Sequence, residues 1–209
     1  MYISLIKRDR FYLLLIILIF TGAVLVGEFL PELSPGFAKV FETAIGKRLT
    51  EIVERMKELP VWGWILLIFL NNLNATFIAV IAGLLLSPVF PLIILIMNGT
   101  VMGLFQRKTE LLGLSFGRYY FGLLPHGIFE LPALFLAILM GIKLGRLTYG
   151  LIWRFLKGDR SFSFSQEWLN GISSYFKEEG RYYSVLVITL LVVAAVIEST
   201  ISPMVIKGN

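Results

Sequence analysis

One histidine and no cysteine occur in the chain. The histidine sits four residues before a glutamate in an apolar stretch, as His126 and Glu130, and this spacing puts both side chains on one face of a helix. A further glutamate, Glu198, lies in a later apolar stretch, and four asparagines, Asn71, Asn72, Asn74 and Asn98, lie in two earlier ones. This set of imidazole, carboxylates and amides is chemically versatile. His126, Glu130 and Glu198 would supply three ligands to a divalent metal such as zinc. His126 would pass protons near neutral pH, as an ion or proton path needs. A carboxylate would act as general base towards a water, which makes His126 and Glu130 the candidate catalytic pair of a hydrolase. The plainer alternative is that all seven residues are interhelical glue, each bond worth roughly 0.6–2 kcal/mol, and set helix register without any reaction. The asparagines suit that role best, because an amide can bond to backbone without titrating.

A membrane bundle must position these groups. Of 209 residues, 57% are hydrophobic and only 16% charged, with a mean hydropathy of +0.81; a soluble domain is about a quarter charged. Water cannot accommodate so much apolar surface, so lipid is the main solvent. The expected fold class is all-α, a polytopic bundle of about five transmembrane helices forming one domain, 1–209. The lack of cysteine excludes disulfides and thiolate metal sites. The net charge of +5 is read as contact with anionic headgroups of the bilayer. No basic cluster interleaved with aromatics points to nucleic acid.

The spans are expected at about 11–29, 61–84, 91–105, 121–143 and 183–202. Lys7-Arg8-Asp9-Arg10 ahead of the first run has the look of a signal peptide, but the run is long, the small-x-small cleavage signal is poor and Pro31 follows, so it is read as an uncleaved first span. Residues 37–59 recur at three-and-four spacing, with Phe37, Val40, Phe41 and Ala44 on one side and Lys39, Glu42, Lys47 and Glu51 between. That is an amphipathic helix for the membrane surface. A second interfacial region, one or two helices, is expected over 146–178, with Ser163 and Gln166 at capping-box spacing. Pro125 and Pro132 predict a kinked or broken fourth span. The basic residues between spans four and five place the N-terminus in the cytoplasm by the positive-inside rule, although the balance over both faces is nearly even.

Depth turns the polar residues into a constellation. Counted from one membrane face, Asn71, Asn98, Glu130 and Glu198 lie about five to ten residues in, or roughly 8–15 Å at 1.5 Å per residue. His126 is one turn shallower. An ionisable group there costs roughly 2.5–3.5 kcal/mol on insertion scales and needs a partner or a cavity. Gly99 with Gly103, Gly113 with Gly117, and Gly141 with Gly145 have the small-xxx-small spacing that lets helices approach closely, within the chain or in a homo-oligomer such as a dimer.

The stretch from Asn71 to Gly145 resembles the core of the stage II sporulation protein M family. The residues that carry the likeness are Asn71-Asn72, Asn98-Gly99 with Gly103, Pro125-His126-Gly127-Ile128-Phe129-Glu130 with Pro132, and Gly141; Glu198 with Ser202-Pro203 matches the last span. The resemblance implies a multi-pass membrane protein with five spans. It also implies a scaffold or assembly role, since the family's namesake assembles with peptidoglycan-degrading envelope partners during engulfment. Members also occur where there is neither sporulation nor peptidoglycan. A cysteine-free chain rich in Ile, Lys and Glu suits such a member, an archaeal one included. The likeness marks the polar positions and supplies no reaction.

Overall fold

The computed structural model describes residues 2–57, 59–111, 116–159 and 161–200; at positions 45, 48–50, 52–57, 111 and 116–126 it describes the backbone alone. Its helices are α1 (Tyr2–Leu33), α2 (Pro35–Lys57), α3 (Val61–Leu85), α4 (Phe90–Leu111), α5 (Phe116–Leu156), α6 (Phe164–Tyr175) and α7 (Arg181–Thr200), with a π-helical turn, Phe176–Gly180, joining the last two. Five helical segments are long and apolar enough to cross a membrane: Tyr2–Leu33, Val61–Leu85, Phe90–Glu110, Gly127–Leu156 and Phe164–Thr200. Among the described residues there is no strand. Main-chain groups in hydrocarbon must pair within their own segment, so apolar runs of this length become helices.

Proline marks several boundaries. Pro35 opens α2 and Pro60 precedes α3, first-turn positions where a missing N–H leaves no bond unmade. Ser87 and Pro88 form the tight turn between α3 and α4, and the Val89 N–H donates to the Ser87 hydroxyl at 3.3 Å. Two expectations need correction. The fourth span is not broken: α5 runs unbroken from Phe116 to Leu156, through Pro125 and Pro132. Pro132 is exposed on the bundle surface, and membrane helices tolerate proline where local adjustment satisfies the freed backbone groups. The region 146–178 is also divided differently: instead of one or two helices of its own, its first part continues α5 and α6 follows as a separate helix. Ser163 is indeed the residue before α6, but its side chain makes no capping bond; its Oγ lies 3.4 Å from that of Ser165.

Two parallel helix pairs make the bundle. In the first, α1 and α4 meet through glycine. A Cβ at Gly27 would run into the Thr100 carbonyl, and one at Gly103 into the carbonyl of Val24. In the second, α3 and α5 meet where Gly83 touches the Gly141 backbone and Gly145 touches Gly83. Close backbone approach of this kind is the main source of van der Waals attraction between helices in lipid. α5 is central, touching α1, α3, α4, α6 and α7, and its Ala133, Ile138 and Leu139 are fully buried. Phe20 of α1 meets Phe135 of α5 edge-on, with ring centroids 5.2 Å apart. α7 packs against α5 and α3.

Candidate functional site

Antiparallel progression gives the bundle two ends. One holds α2, the C-termini of α1, α4 and α7, and the start of α5. The other holds the start of α1, the α3–α4 turn, the last turns of α5, and α6. The polar residues singled out in the sequence lie between them, and the structure separates them by burial. Asn71 and Asn72 are half-buried on α3, and the Asn71 Nδ2 donates to the Asn72 Oδ1 at 3.4 Å. Asn74 is exposed, on the outward stripe with Leu70 and Phe77. Asn98 is exposed too, and its Nδ2 donates to its own helix at the Ile94 carbonyl, 2.8 Å away. Glu130 of α5 and Glu198 of α7 are both half-buried and lie within electrostatic range of each other. The His126 side chain lies outside the described residues. Thus the two glutamates come together, as do Asn71 and Asn72, while Asn74 and Asn98 face outwards. Among the described residues, no group of three or more His, Cys, Asp or Glu side chains could hold a metal.

The most developed polar assembly lies elsewhere, at the α6 end. The Lys143 ammonium donates to Asp9 Oδ2 at 2.5 Å and to Glu179 Oε2 at 2.8 Å, and sits 5.6 Å from the Tyr183 ring centroid. Tyr183 donates its hydroxyl to the same Asp9 oxygen. Arg8 pairs with Glu179 and lies 3.5 Å from Asp9. Asp9 is only 4% exposed. Two cations meet two carboxylates, so the group is neutral overall, and it ties α1, α5, the π-helical turn and α7 together. The Tyr175 hydroxyl, beside this group, is buried with no hydrogen-bond partner among the described residues. Nearby, Trp168 of α6 donates its indole N–H to Thr148 Oγ1 of α5 at 2.9 Å. Arg154 at the end of α5 donates to Asp159 Oδ2 and, at 2.7 Å, to Glu167 Oε2, which pins the α5–α6 loop.

Sequence reasoning missed this network. It read Asp9 as part of a basic flank and Lys143 as the last residue of a span. The available signal was the lone acid between Arg8 and Arg10, and a lysine with apolar residues on both sides. At the α2 end a second, more exposed set joins helices. Arg107 of α4 donates to Glu32 of α1 at 3.0 Å, and Lys108 lies 3.5 Å from Glu42 of α2.

Five spans, glycine-packed helices and ion pairs at both ends define a polytopic α-helical membrane protein. The chain belongs to the stage II sporulation protein M family, whose model matches residues 11–203. No curated protein and no solved structure matches the chain. The family match includes Lys143, Glu179 and Tyr183 of the network and begins two residues after Asp9.

Proposed function

We propose that this protein is a membrane scaffold that assembles with other membrane or envelope proteins, or with copies of itself. One observation carries the reading: ion pairs join different helices at both ends of the bundle, Lys143 and Arg8 with Glu179 and Asp9 at one and Arg107 with Glu32 and Lys108 with Glu42 at the other, which builds a frame. Against that frame α2 lies across one end with Phe37 and Val40 more than half exposed and Lys39 and Lys47 beside them. An apolar strip edged by cations suits attachment to a partner or to a headgroup layer. The resemblance to a family whose namesake is a scaffold points the same way.

The Glu130–Glu198 proximity favours a second reading, a cation or proton site completed by His126. Two carboxylates held together in a membrane need a shared proton, a cation or an imidazolium between them.

One preparation tests both. Full-length protein is recovered from its native membrane in mild detergent, with and without Phe37→Glu/Val40→Glu. The scaffold reading expects a stoichiometric partner or a defined oligomer, lost in the double variant at unchanged melting temperature. A monomer with no partner overturns it. Stoichiometric metal in the same sample, absent from Glu130→Gln and His126→Ala, would transfer the conclusion to the second reading.

A further inference from the structure

An open groove of about 310 Å³ runs between α3, α5 and α7. Its α3 wall extends from Leu73 to Leu84 and its α7 wall is Ser184, Val187 and Ile188. Along α3 that is about eleven residues, or ~16 Å, which is about half the ~30 Å hydrocarbon core. Leu73 lies midway along α3, and Leu84 is at its end beside the α3–α4 turn. The groove therefore spans one leaflet, from the α6 end to the middle of the membrane. That length is what one acyl chain of a single leaflet occupies.

Polarity changes at the α6 end in the order a phospholipid requires. Ser184 is half-buried in the wall, and its hydroxyl has no hydrogen bond among the described residues. Arg181 precedes it by one turn on the same stripe of α7; its guanidinium rests on the Tyr182 ring, 4.5 Å from the centroid, and has no carboxylate partner among the described residues. Phe176 also lines the groove, and the next residue, Lys177, is exposed without an ion pair among the described residues. The neighbouring acid, Glu179, is already bound to Lys143 and Arg8. An acyl chain in the groove would put its ester level with Ser184 and its phosphate near Arg181 and Lys177.

We propose that the α3–α5–α7 groove is a binding site for one acyl chain of an anionic phospholipid from the leaflet at the α6 end, with the headgroup on Lys177 and Arg181. The bound chain completes a bundle wall that the protein's own helices leave open. This site is independent of the scaffold role, and partner recovery does not bear on it.

The test uses the purified full chain in nanodiscs of phosphatidylglycerol or phosphatidylcholine with identical acyl chains, followed by native mass spectrometry of lipid retained on release. Wild type should keep one phosphatidylglycerol per chain in preference to phosphatidylcholine. Ile188→Trp fills the groove from its rim and should abolish retention, whereas Val192→Trp, one turn further along α7 and outside the groove, should not. Lys177→Gln/Arg181→Gln changes only exposed side chains and should lower the headgroup preference roughly 30-fold, the combined worth of two cations near an anionic surface. Equal retention of both lipids by wild type overturns the proposal. So does full retention by Ile188→Trp, or a lipid-free dimer that Ile188→Trp dissociates.

Discussion

Lys143 shows what a single charge does in an apolar helix. Its side chain is only 18% exposed, and it reaches Asp9 and Glu179 on two other elements. Removing one member of a buried ion pair costs more than the pair is worth, because the other charge is left without compensation; about 3–5 kcal/mol is typical. Arg8 remains at Glu179, so Lys143→Met should cost about 3 kcal/mol, at the low end of that range. Asp9→Leu alone should also destabilise, leaving both Lys143 and the Tyr183 hydroxyl short of an acceptor. The double variant should recover part of the loss, since an apolar replacement for a whole pair is often neutral. Thermal melts of the four proteins in one detergent give the coupling energy, and strictly additive losses would show that Asp9 and Lys143 do not act as a unit. Glu130 and Glu198 present the contrasting case, two acidic side chains near each other instead of an acid and a base.

Among the elements, the glycine spacings acquire definite partners. Gly99 and Gly103 face Phe20, Val24 and Glu28 of α1, and Gly141 and Gly145 face Ala79 and Gly83 of α3 with the adjoining turn. Both pairs therefore serve helix contacts inside the chain; Gly113 lies outside the described residues. Gly22 on α1 has open space where a Cβ would go. Gly103→Ala should then lower stability by about 1–3 kcal/mol through overpacking against a backbone carbonyl that cannot move aside. Gly22→Ala should leave it unchanged or slightly higher, because alanine favours the helix by up to ~1 kcal/mol. Equal melting temperatures for the two variants would mean that α1 and α4 do not approach as closely as described. At 41 residues, α5 is roughly 60 Å long, and the charge of Lys143 within it is compensated by Asp9 and Glu179.

At the scale of the molecule, the two sets of ion pairs frame the hydrocarbon. Asp9 and Glu32 are 23 residues apart on α1, or ~35 Å, slightly more than the ~30 Å hydrocarbon core. Each set thus falls at an interface, where paired charges cost least, with the glycine-packed apolar core between them. The last turn of α5 and the α5–α6 loop carry Arg154, Lys157 and Arg160, and by the positive-inside rule the expected orientation has this end in the cytoplasm and α2 outside. The cysteine-free chain allows a direct test. Thr43→Cys on α2 and Ser165→Cys on α6, both at exposed positions, are labelled in intact cells with a membrane-impermeant maleimide. Only the first should react; reaction of Ser165→Cys alone would invert the orientation.

Composition and hydropathy by themselves determined the solvent and the helical class, and a few residue strings carried the family resemblance. Lipid tolerates few unpaired backbone groups, so long apolar runs have little choice of structure, and the string from Pro125 to Glu130 is distinctive. The short break between the spans expected at 61–84 and 91–105, and the helix expected over 37–59, were equally legible, because proline and amphipathic spacing act locally. Partnership was not legible. His126, Glu130 and Glu198 stood out because their residue types are rare in apolar stretches, yet rarity does not show which groups meet. Asp9 and Lys143, 134 positions apart, each looked like an ordinary interfacial flank. Only the tertiary structure brought them together, because the hydrogen bond that compensates a buried charge depends on helices that the sequence separates and the fold makes adjacent.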